Sequence, residues 1–203
     1  MSTYTDVIAQ SEDGTRRVRI ELDEYPDAPD FPTGCPVLRA EVGIWSSDVT
    51  HTGYGSESAA GDGLPNDAED ILTKFINDHG FSKGIDTFDR YLRIFHNGRA
   101  VRRDAYRYSD ATYVAYITER MVREVWGSTD IDTAIVPEMS EWMAYVDGDV
   151  YVVITEERAS VTERRERADG SVEVRERMEW EEVDSVHGFY GYECAEEVAR
   201  QMI

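Results

Sequence analysis

Four dipeptides constrain this chain more than any other feature: Asp13-Gly14, Asn97-Gly98, Asp147-Gly148 and Asp169-Gly170. Asp-Gly and Asn-Gly accept the left-handed backbone of a tight hairpin turn. Each stands between runs with strand character, so the chain reads as antiparallel neighbours joined by short turns. The first turn region predicts a hairpin of Thr5–Ile8 with Arg17–Leu22. In the second of these runs, Arg17-Val18-Arg19-Ile20-Glu21-Leu22 alternates as a half-buried strand should. The second turn predicts a hairpin of Arg90–Phe95 with Arg99–Tyr108. The last two predict a C-terminal meander: Trp142–Val146 with Val150–Thr155, then Ser160–Arg167 with Ser171–Trp180. In Val172–Trp180 every even position is apolar except Glu176. Val37–Trp45 and Tyr113–Ile117 are further strands.

Helix signals are fewer. Pro65-Asn66-Asp67 opens a helix to about His79, with Ile71, Leu72, Phe75 and Ile76 on one face and Gly80 as its stop. Thr118 is placed to cap Glu119–Trp126, which ends at Gly127. In Tyr192–Ile203, residues Ala195, Val198, Ala199 and Met202 share a face that would dock on a sheet. Asp23–Pro36, with its four prolines, is a loop. Ser46–Leu64, rich in Gly, Ser, Thr and Asp, is a long polar loop and the expected mobile segment, at about 46–64. At 203 residues, 41% hydrophobic and 11% aromatic, the chain can bury a core and is not an acidic disordered tail. The expectation is a single α+β domain over 1–203, a mostly antiparallel, hairpin-built sheet with about three covering helices.

Charge describes the solvent before the task. The chain holds 42 Asp+Glu against 21 Lys+Arg, a formal net charge of -21, and its only lysines are Lys74 and Lys83. One reading is mimicry of DNA by carboxylates. The other is life in molar salt, where a Debye length of about 3 Å removes the self-repulsion of an acidic surface. A mimic has no reason to avoid lysine. A salt-adapted surface does, because the long lysine stem adds apolar area where salt strengthens burial. High-salt adaptation is the reading adopted. The N-terminus lacks the basic and apolar regions of a leader, and runs such as Val150–Ile154 are far too short to span a membrane. The expectation is therefore a soluble protein in the cytoplasm of a host cell, or carried in a virion, with no membrane partner. Cys35 and Cys194 are read as small core side chains, not a disulfide.

Catalytic signatures are missing from the sequence. Gly53-Tyr54-Gly55-Ser56-Glu57-Ser58 lacks the downstream residues of a phosphate loop or a nucleophile elbow. Asp130-Ile131-Asp132 and Asp147-Gly148-Asp149 are read as chance pairs in an acidic chain, so neither metal nor cofactor is expected. His51, His79, His96 and His187 have no partner nearby in sequence that marks a general base. One segment opposes the acidic trend. Arg90, Arg93, Arg99, Arg102, Arg103 and Arg107 face a single acid, Asp104, with Tyr91, Phe95 and Tyr106 between them. Such a segment could grip a nucleic-acid backbone and stack bases. The plainer reading is that these arginines pair with carboxylates elsewhere, as their forked geometry favours. Candidate binding residues are Arg99, Arg103 and Arg107, which share strand parity, with Tyr91 and His96, and at the C-terminal end His187 and Tyr190.

Those C-terminal residues carry a resemblance. Asp184-Ser185-Val186-His187-Gly188-Phe189-Tyr190-Gly191, followed by a helix with Ala195 and Glu197, resembles a segment of small accessory proteins of tailed bacteriophages and haloarchaeal viruses. In those proteins its middle is commonly Asp-Ser-Cys-Trp-Gly-Phe-Tyr-Gly; here Val186 and His187 replace Cys and Trp. Ile20–Pro29, His96-Asn97-Gly98, Tyr113–Gly127 and Tyr145–Val152 match other stretches in the same order. A tryptophan-aspartate turn of those proteins is replaced here by Tyr108-Ser109-Asp110-Ala111. The resemblance implies a viral or mobile-element accessory protein and supplies no catalytic residues. The function expected is non-enzymatic binding of a host or viral protein, in host takeover or counter-defence, with DNA mimicry as one form of it. The alternatives are a nucleic-acid-associated protein using Arg90–Arg107, or a minor virion structural or assembly component.

Overall fold

A computed structural model describes residues 6–42, 47–52, 67–105, 111–167 and 172–203. Among them are five helices and two antiparallel sheets of four strands each, an α+β fold. The chain divides into two compact units, Ala28–Gly148 and a second made of its two ends, Met1–Asp27 with Asp149–Ile203. No composition shift or linker announces this division, because the second unit is assembled from segments far apart in sequence.

In the unit Ala28–Gly148 the strands are β3 (Val37–Val42), β4 (Ser47–His51), β5 (Gly98–Asp104) and β6 (Thr112–Thr118), in the order β4-β3-β6-β5. Every residue of β6 is buried. That follows from its sequence, Thr-Tyr-Val-Ala-Tyr-Ile-Thr, which gives neither face enough polarity for water. Tyr116 meets Phe88 of α2 (Phe81–Phe95) edge-on, with ring centroids 5.9 Å apart, and Tyr113, of the other parity, meets Trp142 of α4 (Ile131–Val146) at 5.8 Å. Alternation puts those two tyrosines on opposite faces, so the sheet carries helices on both sides. The α1 helix (Ala68–His79) packs on α2. At their closest approach stands Gly84, where an added Cβ would lie 2.5 Å from the Cα of Ile76. α3 (Glu119–Trp126) begins at Thr118, whose hydroxyl accepts from the Met121 N–H at 3.4 Å, and stops at left-handed Gly127, as its sequence predicts.

In the other unit the strands are β1 (Asp6–Gln10), β2 (Arg16–Leu22), β7 (Val150–Glu166) and β8 (Val172–Tyr190), ordered β1-β2-β7-β8. The helix α5 (Tyr192–Gln201) buries Ala195 and Ala199 against Val18, Ile20 and Val153, with Tyr151, Phe189 and Met202 around them. The docking face expected for this helix is the one it uses.

Several expectations are corrected. Arg90–Phe95 is not a strand. It is the end of α2, whose buried residues Gly84, Ile85, Phe88 and Leu92 recur with helical period. Asn97 does adopt a left-handed φ of 48°, but its turn joins a helix to a strand. Trp142–Val146 is not a strand either. It closes α4, whose buried Ala134, Ile135, Glu138, Met139 and Trp142 follow the same period across an interior Pro137. The polar segment 46–64 is not all loop, since Ser47–His51 pairs with β3; residues 53–66 lie outside the described residues. The C-terminal meander is one long hairpin of β7 and β8. Among the described residues the helices number five, where about three were expected. Cys35 is buried as expected, but Cys194 is exposed; both are free thiols.

Candidate functional site

The arginine-rich segment is dismantled by its own secondary structure. Tyr91 and His96 sit at the end of α2, while Arg99 and Arg103 lie on β5. Arg107 lies outside the described residues. Arg99 is largely neutralised. Its guanidinium donates to both Asp132 oxygens at 2.6 and 2.7 Å, and its Nε stands 3.8 Å from Asp89. Asp89 also takes Arg93 at 2.7 Å and accepts the Ala100 N–H of the edge strand at 2.8 Å. An open depression of about 280 Å³ nearby is lined by Arg93 and Arg99 but also by Glu119, Asp130 and Asp132, so it offers an anion no net positive field. Arg103 is exposed and donates to the Arg102 carbonyl at 3.0 Å. Among the described residues, neither Arg102 nor Arg103 has a carboxylate partner. Tyr91 is half-buried, its hydroxyl 3.0 Å from His96 Nε2 and its ring against Phe75 and Phe95. Phe95 itself is exposed. The two outcomes foreseen for this segment, a free cationic platform or a paired and buried one, are therefore each met in part.

His187 and Tyr190 belong to the other unit and do a structural job. His187 Nδ1 lies 3.1 Å from the Asp23 carboxylate, and the Tyr190 hydroxyl donates to the Asp27 carbonyl at 3.0 Å. Between them they fasten the acidic, proline-bearing Asp23–Asp27 stretch to β8. Asp23 is further occupied by the Tyr25 N–H. The glycines of this segment have positive φ, 82° at Gly188 and 95° at Gly191. Gly188 lies where β8 carries an extra residue against β7: Tyr151 opposes Phe189 while Val153 opposes Val186. This is a glycine-bearing bulge that lets Phe189 turn toward α5.

The remaining acids of interest are also spent locally. Asp130 caps α4, accepting from the Asp132 N–H at 3.2 Å, and hydrogen bonding from Thr133 lowers its pKa. Two buried glutamates behave oppositely. Burial pushes the Glu138 carboxyl up, although Thr33 donates to it through its hydroxyl at 2.5 Å and its N–H at 3.2 Å. Burial pushes Glu156 the same way, but Arg17 at 2.5 Å and Arg19 at 3.1 Å override it and hold the carboxyl below its ordinary range. Cys35, buried beside Glu138, has its thiol pushed far up by desolvation and by that carboxylate. It is an inert core residue, since the thiolate is the reactive form.

The feature with no structural duty is the end of the long hairpin. β2 opposes β7 only as far as Arg16 with Glu157. The Arg158 N–H still donates to the Thr15 carbonyl at 2.8 Å; from Ala159 to Glu166, β7 pairs with β8 alone, a two-stranded arm of about 26 Å at ~3.3 Å per residue. Trp180 marks its root, half-buried between the guanidinium groups of Arg17 at 4.4 Å and Arg158 at 5.6 Å. Beyond it, Val172, Val174 and Met178 share one face and are 49%, 55% and 55% exposed. Their cross-strand neighbours Glu166, Arg164 and Ser160 are polar. The opposite face is charged, with Arg175 on Glu173 at 2.7 Å and Arg177 on Glu179 at 2.8 Å. A two-stranded ribbon is marginal in water by itself, and here no layer of the described residues covers its apolar face. The alternation of Val172–Trp180 was legible. Its exposure was readable only from the partner run, where Ala159 and Val161 fall on the opposite face and leave the apolar stripe without a core.

No family model matches this sequence, and no curated protein or solved structure is significantly similar to it. No helix among the described residues is long and apolar enough to cross a membrane.

Proposed function

We propose that this chain is a salt-adapted, non-enzymatic binding protein of a virus or mobile element, which occupies a protein of its host through the apolar face of the β7–β8 arm. The observation that carries the reading is the exposure of Val172, Val174 and Met178 on a ribbon that contributes no core. Apolar side chains clustered on a projecting element are a contact surface in want of a partner. The net charge of -21 with two lysines supports the salt-adapted part. The Gly188-Phe189-Tyr190-Gly191 resemblance supports the viral part. Pairing of Arg93 and Arg99 with Asp89 and Asp132 weighs against a nucleic-acid role for Arg90–Arg107.

The test is affinity capture from host lysate in molar KCl, with and without nuclease, comparing the wild-type chain with a Val174→Lys/Met178→Lys variant. A nuclease-resistant partner lost with the variant is the expected result. Recovery that depends on nucleic acid, or that ignores the variant, overturns the reading. Salt adaptation has its own check: the melting temperature rises between about 0.1 M and about 2 M KCl as screening removes self-repulsion. A flat or falling melting temperature would return the acidic surface to the mimicry reading.

A further inference from the structure

The arm has an edge as well as a face, and the edge carries a second message. β8 is the terminal strand of its sheet, so its outer row of N–H and C=O groups has no strand partner among the described residues. Natural edges are blunted by prolines, bulges, lysines and other charged side chains. β8 has bulges only in its lower half, and the charges of its upper half are of both signs, so a partner edge can match them. Its register slips where Thr155 opposes Asp184 but Glu156 opposes Glu182, and again beside Gly188. From Val172 to Glu182 it runs without bulge, proline, glycine or lysine. A competent pairing edge is therefore confined to the arm and its root.

The charges along this edge are arranged for a copy of itself. A two-fold axis perpendicular to the sheet pairs β8 with β8 of a second molecule antiparallel and keeps each residue on its own face, so the axis must pass through one residue. With the axis at Met178, Arg177 faces Glu179 of the second copy and Arg175 faces Glu181. By symmetry this makes four oppositely charged pairs, and no like charges stand opposite each other. Moving the axis by one residue fails. At Arg177 it opposes that arginine to itself and Glu173 to Glu181. At Glu179 it opposes Glu179 to itself and Glu176 to Glu182. Two residues away, at Glu176, it opposes Glu173 to Glu179 and Arg175 to Arg177. The β7 edge beyond β2 does less well: an axis at Val161 sets Arg158 against Arg164, and one at Thr162 opposes Arg158 to Glu166, two oppositely charged pairs by symmetry where the β8 register makes four. Like charges directly opposite destabilise a pairing and opposite charges favour it, so the register about Met178, with the most opposite-charge pairs and no like-charge pair, is the favoured one.

We propose that this protein forms a two-fold dimer by antiparallel pairing of the Val174–Glu182 edges of β8 about Met178. The proposal deepens the reading of the arm as a contact element and rests on it. Edge pairing turns two marginal ribbons into one four-stranded sheet. It leaves the apolar face open and doubled, with Val172, Val174, Met178 and Trp180 of both copies on one side. In molar salt the ion pairs are screened and fix the register, while backbone pairing and apolar burial hold the copies together.

Sedimentation and cross-linking test it. In a Cys194→Ser background, Met178→Cys places two thiols opposite each other on the axis, where antiparallel Cα atoms lie about 4.5–5.5 Å apart, within disulfide reach. Mild oxidation should give a covalent dimer. Val174→Cys, about 26 Å from its own copy in this register at ~3.3 Å per residue, should not. Arg177→Glu should shift the monomer–dimer equilibrium of the otherwise wild-type chain at least tenfold toward monomer, and Arg177→Glu with Glu179→Arg should restore it. A chain that sediments as a monomer at its highest soluble concentration overturns the proposal. So does cross-linking at position 174 equal to that at 178, or a failure of the double reversal to restore pairing. Its fate is separable from that of the host-binding reading. A monomer whose host partner is lost with Val174→Lys/Met178→Lys refutes the dimer alone. A dimer whose capture ignores that variant refutes the host contact alone.

Discussion

The two sheets of this protein solve opposite problems. The sheet β4-β3-β6-β5 lies between helices, and its inner strand β6 is buried along its whole length. The sheet β1-β2-β7-β8 has α5 on one face, and about half of each of its longest strands runs past Arg16, the first residue of β2, into solvent. The first pattern is what a chain needs for stability, because apolar area removed from water is the main favourable term in folding. The second adds exposed backbone and apolar surface while contributing little to a core. The contrast separates the part of the molecule that holds from the part that reaches.

The largest effect expected from breaking this contrast is in the covered sheet. Phe88 is fully buried against Tyr116. Phe88→Ala should cost about 3–5 kcal/mol in reversible unfolding, with the cavity adding to the lost transfer energy. A cost below ~1 kcal/mol would mean that this sheet is not the stable one.

The buried glutamates sharpen the comparison through pH. Glu156, in the arm-bearing unit, has its folded pKa depressed, so its contribution is present above the unfolded carboxyl pKa near ~4.3 and is lost as pH falls through the folded value. Glu138, in the helix-covered unit, has its folded pKa raised. It favours the native state in acid, and that contribution is lost as pH rises through the raised value. Glu156→Gln should therefore cost about 2–3 kcal/mol at neutral pH, the scale of charged hydrogen bonds, and converge with the wild type in acid. Glu138→Gln should be neutral or stabilising at neutral pH and should flatten the decline above the carboxyl range. Denaturant unfolding across pH 3–8 checks both. Parallel pH profiles for the two variants would contradict the assignment.

The smallest effect belongs to the arm. Val174→Lys/Met178→Lys replaces exposed residues that contribute no core, so stability should move by no more than about 0.5 kcal/mol per site. A loss of several kcal/mol would show that the arm supports the fold.

Elements that announce themselves locally were legible in the sequence. The β1–β2 hairpin has its Asp-Gly turn, α3 has Thr118 and Gly127 at its ends, and α5 has its alanine-rich face. Two helices were hidden by a single competing signal. In α2 the Asn97-Gly98 turn drew Arg90–Phe95 into a strand, whereas the helical period becomes visible only over Phe81–Phe95. In α4 an interior Pro137, which lacks an N–H and ordinarily breaks helices, disguised the rest of the period. The candidate site was half legible. Alternation marked Val172, Val174 and Met178 as one face, but whether a helix covers that face is a tertiary fact. His187 and Tyr190 were singled out as binding residues; in the fold they contact Asp23 and Asp27, more than 160 residues away, which no local pattern encodes.

Residue-resolved hydrogen exchange on the dilute chain tests the division between holding and reaching most directly. Amides of Thr112–Thr118 should exchange only through global unfolding, whereas those of Ala159–Glu166 and Val174–Trp180 should exchange orders of magnitude faster, through local opening of the arm. Raising the protein concentration should slow the arm amides and leave β6 unchanged. Arm amides protected in the dilute chain as strongly as those of β6 would contradict the account.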